Sequence, residues 1–108
     1  MSAMARIERE KKAHELFTRF DGNPILKAED WPYAANAVFN PGAARLDGQT
    51  LLLVRVEAMR GFSHLTVARS PNGLTDWTGD PEPTLTADAS THEERGGLED
   101  PRIVWLQE

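Results

Sequence analysis

The sequence predicts an all-β fold preceded by one N-terminal α-helix. Three observations lead there. Helical periodicity is confined to the first twenty or so residues; after them come short β-branched and apolar runs; and Gly, Pro, Asn and Asp separate those runs at every break. The strongest local signal is Asp47-Gly48, a tight-hairpin pair between two such runs.

Composition bounds the rest. The chain has 108 residues, 40% hydrophobic and 27% charged, which fits one small globular domain rather than a disordered segment. A formal net charge of -5 and the lack of a long Lys/Arg run argue against nucleic acid or an anionic membrane as partner, and leave a polar small substrate. No cysteine is present, so disulfides, thiolate chemistry and cysteine-ligated zinc are excluded. His14, His64 and His92 lack ligand spacing, so no metal site is expected. Neither a leader-type apolar core nor an unbroken apolar span appears, and the chain reads as cytoplasmic.

Residues 1–22 form the first segment. Ala13, Leu16, Phe17 and Phe20 follow the spacing of one apolar helical face over residues 3–20, while residues 6–12 are nearly all charged and solvated. Asp21-Gly22-Asn23-Pro24 stops the helix. The second segment, 23–108, opens with an extended crossing anchored by Trp31 and Tyr33. Ala37-Val38-Phe39 then runs into Asn40-Pro41-Gly42, and a strand over 43–46 joins one over 50–57 through Asp47-Gly48. In that second strand Leu52, Val54 and Val56 share one face, and Leu51, Leu53, Arg55 and Glu57 the other. Both faces are largely apolar, as in a strand buried within layers. Arg55 interrupts one of them, either snorkelling or paired with a carboxylate.

A third strand is expected over 64–70, a turn at Ser70-Pro71-Asn72-Gly73, and a fourth strand or extended return over 74–77. Three or four short strands in about forty residues match one four-stranded propeller blade. A polar loop then leads to Gly96-Gly97-Leu98-Glu99-Asp100-Pro101-Arg102, ahead of the strand-like run Ile103-Val104-Trp105-Leu106. Pro101 is expected to hold Asp100 extended, either as a plain turn or as a stiff mount for a functional acid. Trp77 and Trp105 lie in strand-like runs and read as core, whereas Trp31 is kept as a sugar-stacking candidate.

Five pieces in order resemble glycoside hydrolase family 130, the mannoside phosphorylases and β-mannosidases. They are Asn23-Pro24-Ile25-Leu26, Val38-Phe39-Asn40-Pro41-Gly42-Ala43, Leu51-Leu52-Leu53-Val54-Arg55-Val56, Ala68-Arg69-Ser70-Pro71-Asn72-Gly73 and Gly97-Leu98-Glu99-Asp100-Pro101-Arg102. The resemblance implies the N-terminal part of a five-bladed β-propeller, about one blade plus the start of the next. It implies Asp100 as the general acid, with Asn40 and Arg55 lining the mannose subsite. The partners implied are a mannose-containing oligosaccharide and inorganic phosphate as co-substrate, with no cofactor; a homo-oligomer of the full-length protein is compatible. The phosphate-holding basic residues are expected beyond Glu108, so the isolated chain is expected to be inactive.

The chemistry agrees with one acid. A glycosidic oxygen leaves poorly without a proton, whereas phosphate is already an anionic nucleophile and needs no base. Asp100 would have to keep its proton, helped by burial and by Glu99 and opposed by Arg102 if that side chain turns inward; Arg102 is expected instead to pair with Glu99 or another acid, away from the catalytic oxygen. Two alternatives stand beside this reading. One is a hydrolytic β-mannosidase of the same family, for which a further pair of acids would be needed downstream. The other is a non-catalytic carbohydrate-binding or interaction module, in which Asp100 is a turn residue.

Overall fold

The computed structural model describes residues 16–106. Four strands, β1 (Ala37–Leu46), β2 (Gln49–Glu57), β3 (Ser63–Ser70) and β4 (Thr78–Gly79), form one antiparallel sheet in sequence order. A short 3-10 turn at Ala28–Asp30 precedes them, and no α-helix occurs among the described residues. The expected N-terminal helix lies outside the described residues up to residue 15. Residues 16–20, its intended docking end, are irregular, with Leu16 and Phe17 exposed. Without a surface to bury those side chains, this stretch gains nothing from a helical turn.

The hairpin between β1 and β2 turns where expected. Asp47 and Gly48 both take positive φ, 51° and 77°, as a two-residue turn matched to strand twist requires. One boundary differs nearby: Asn40-Pro41-Gly42 does not separate residues 37–39 from the strand over 43–46 but forms the middle of β1, with a bulge between Phe39 and Pro41. β1 is an edge strand, where a proline's missing N–H leaves no sheet partner unpaired. The fourth strand also falls later than expected, at Thr78–Gly79.

Leu65 and Val67 of β3 are buried on the Arg55 face of the sheet, but the core cluster lies on the other face. Val54, Val56 and Ala68 are buried there against Trp31, with Leu26, Tyr33, Ala35, Val38, Leu52 and Trp77 packed around them. The segment before β1 is therefore a cover for the sheet. Trp31 is only 7% exposed, which removes it as a sugar platform: its indole is worth more as buried apolar area than as an open surface.

The outer edge of β3 is closed piecemeal. Asp80 donates its amide to the Val67 carbonyl, Leu65 and Leu85 exchange backbone hydrogen bonds, and Gly97 bridges Ser63 in parallel. The chain beyond β4 thus runs back along β3 and arrives at its first residue just before the Glu99-Asp100 pair. The expected strand over residues 103–106 does not form. That stretch is irregular and Trp105 is 66% exposed; β-prone residues form a strand only when paired, and among the described residues this run has no backbone partner in the sheet.

Candidate active site

From Gly97, the chain crosses the second face of the sheet, from β3 over β2 to β1. Three contacts mark the path. Leu98 donates its amide to the Ser63 carbonyl on β3 at 2.9 Å, Glu99 meets Arg55 of β2, and Asp100 meets Asn40 of β1. Gly42 on β1 then supports the far end. A Cβ there would lie 2.9 Å from the Pro101 carbonyl oxygen and 3.2 Å from Ile103, so only glycine admits the crossing at this height.

The three residues singled out from the sequence, Asn40, Arg55 and Asp100, come together under this crossing. Asn40 Nδ2 donates to Asp100 Oδ1 at 3.0 Å. The Arg55 guanidinium donates from Nη2 to Glu99 Oε1 and from Nε to Ser63 Oγ, both at 2.9 Å, and lies 4.5 Å from the centre of the Phe39 ring. Of the two options for Arg55, pairing with a carboxylate is the one realised. The partly exposed Arg55–Glu99 pair contributes about 0.5–1 kcal/mol at most; its value here is geometric.

Two expectations about the acid are corrected. Asp100 is not extended: its φ is 50°, in the left-handed region that Asp enters more readily than most residues, at a cost of about 1–2 kcal/mol. The hydrogen bond from Asn40 and the pinned ends of the crossing overcome the preference set by Pro101. Nor is Asp100 buried; it is exposed on the open face. Arg102 is exposed and forms no ion pair among the described residues, the Glu99 carboxylate being taken by Arg55.

Ser63, Phe39 and Gly42 were not picked out as site residues from the sequence. Ser63 and Phe39 carry no compositional signal. Gly42 does carry one, because a glycine inside a strand marks a bulge or a close backbone approach. On the opposite face, Tyr33 Oη lies 2.6 Å from both His64 Nε2 and Thr66 Oγ1, and burial pushes the His64 imidazole below its ordinary value. In the loop leading to the crossing, hydrogen bonds from the Ser90 hydroxyl and amide hold the Asp88 carboxyl below its usual range. Among the described residues, no cluster of His, Asp or Glu is placed to hold a metal ion, and no helix is long and apolar enough to cross a membrane.

Fold and site together define an all-β chain with an open antiparallel sheet, across one face of which a carboxylate-bearing segment is laid. No family model matches the chain. Against curated proteins, 66 residues are 39% identical to the 4-O-beta-D-mannosyl-D-glucose phosphorylase of Bacteroides fragilis, covering 57% of this chain. The match spans 16% of that phosphorylase.

Proposed function

We propose that this chain carries the general acid of a glycoside phosphorylase acting on β-mannosides, in which its sheet is one blade of a β-propeller. The observation that carries the proposal is the Asn40–Asp100 hydrogen bond beneath the crossing segment. An amide donating to Oδ1 leaves Oδ2 as the oxygen offered to the substrate and fixes its direction. The similarity to a mannosyl-glucose phosphorylase supplies the substrate class.

In the proposed reaction Asp100 sends a proton toward the leaving glycosidic oxygen, through a hydroxyl of the bound mannose. The bond from the anomeric carbon to that oxygen breaks as a phosphate oxygen attacks, giving mannose 1-phosphate and a free sugar. Asn40 and Nη1 of Arg55, which makes no hydrogen bond among the described residues, are the groups offered to mannose hydroxyls. Glu99 is committed to Arg55, so the carboxylate next to the acid is not offered as a base for water. The second free carboxylate that an inverting hydrolase needs would come from elsewhere in the full-length protein, and the similarity to a mannosyl-glucose phosphorylase supports phosphate as the nucleophile.

Product identification tests the proposal. The full-length protein, given 4-O-β-D-mannosyl-D-glucose, is expected to form mannose 1-phosphate only when inorganic phosphate is present. Free mannose formed at the same rate with or without phosphate would establish hydrolysis instead, and no cleavage at all would refute the proposal.

A further inference from the structure

We propose that Ser63 and Glu99 are positioning residues for Asp100, acting through the Arg55 guanidinium that they share. The inference rests on the reading of Asp100 as a proton donor, and adds two residues to it.

Arg55 is held on three sides. Nε donates to Ser63 Oγ and Nη2 to Glu99 Oε1, and the Phe39 ring lies against the guanidinium. A planar fork fixed at adjacent donors has little freedom left. Ser63 is itself a rigid anchor: it is buried, bridged to Gly97 and bonded through its carbonyl to the Leu98 amide. One residue of β3 therefore sets both the start of the crossing and the orientation of the arginine.

Glu99 is the only residue between that anchored start at Leu98 and Asp100. Its side chain is 54% exposed, so it is held by the arginine rather than by packing. Asp100 follows it at φ 50°, a conformation that relaxes unless both neighbours are restrained. Releasing Glu99 frees the peptide that aims the Asp100 carboxyl, and a displacement on the order of 1 Å at a proton donor costs about 100-fold in rate.

The test uses the dependence of acid catalysis on the leaving group. A sugar hydroxyl needs a proton to leave, whereas an activated phenol, such as dinitrophenol, leaves without one. Ser63→Ala, Glu99→Gln and Asp100→Asn are made in the full-length protein and assayed with inorganic phosphate on mannosyl-glucose and on a dinitrophenyl β-mannoside. S63A and E99Q are expected to lose about 10- to 100-fold in kcat on the disaccharide and less than about threefold on the aryl mannoside, with D100N showing the same selectivity more strongly. Equal losses on both substrates, or a change in KM alone, while D100N remains selective, would overturn the positioning role and leave the acid in place. A D100N variant with no selectivity would overturn the acid reading, and the inference with it. E99Q alters an exposed side chain, so it remains informative if S63A folds poorly.

Discussion

Substituting Gly97 tests how the acid-bearing segment is attached to the sheet. Its φ is 99°, and a Cβ would stand 2.8 Å from both the amide nitrogen and the carbonyl oxygen of Ser63. Those are backbone atoms of a paired strand and have nowhere to move. Positive φ costs an L-residue about 1–2 kcal/mol, and forced overpacking about 1–3 kcal/mol more, so Gly97→Ala is expected to weaken the attachment by about 2–5 kcal/mol. Gly48 supplies the control, since it sits at φ 77° with nothing within 4 Å of its would-be Cβ. Gly48→Ala carries the conformational cost without the clash. Hydrogen exchange of the Leu98 amide, whose acceptor is the Ser63 carbonyl, reads the attachment directly. In the full-length protein G97A is expected to speed that exchange by at least about 30-fold, the equivalent of about 2 kcal/mol, and G48A to leave it unchanged. Unaltered Leu98 protection in G97A would refute the parallel bridge to Ser63 as the attachment.

Three further perturbations probe the surroundings. Gly42→Ala pushes a Cβ against the Pro101 carbonyl, so turnover should fall while the thermal midpoint moves by only a few degrees; unchanged turnover would place the crossing elsewhere. Trp31→Ala should cost about 3–5 kcal/mol in urea unfolding, as expected of a core tryptophan, and Trp31→Phe much less, because it also removes a buried indole N–H that has no partner among the described residues; a W31A protein of normal stability with a raised KM would restore the sugar-platform role. Burial holds His64 below its ordinary value of 6.5, so the unfolded state takes up the proton first and stability is lost as pH falls from 6.5 toward the folded value. His64→Gln should flatten the fall in urea midpoint below that pH, and an unchanged slope would assign it to other groups.

What the sequence revealed and what it concealed follow from the range of the forces involved. The Asp47-Gly48 hairpin was legible because two adjacent residues dictate it. The division of β2 into a Leu52-Val54-Val56 face and an Arg55 face was legible because strand periodicity is local; the core cluster lies on the first face, and Leu65 and Val67 of β3 are buried on the second. Asn40-Pro41-Gly42 misled because its turn chemistry is outweighed by pairing with β2, a decision made by residues ten or more positions away. Residues 103–106 misled for the converse reason: their composition suits a strand, but no neighbouring edge pairs with them. The meeting of Asn40, Arg55 and Asp100 came from a resemblance in motif order; no local pattern announces that residue 100 will cross back onto residue 40. Ser63 stayed hidden because a serine at the start of a strand looks the same whether or not an arginine leans on it.

The central claim is that Asp100 delivers the proton. Its most direct test is kcat of the full-length Asp100→Asn protein on 4-O-β-D-mannosyl-D-glucose with saturating phosphate. Asparagine preserves the shape of the side chain and removes only the transferable proton. A loss of about 100- to 10,000-fold with the fold intact is expected. Turnover within a few-fold of the unsubstituted protein would contradict it.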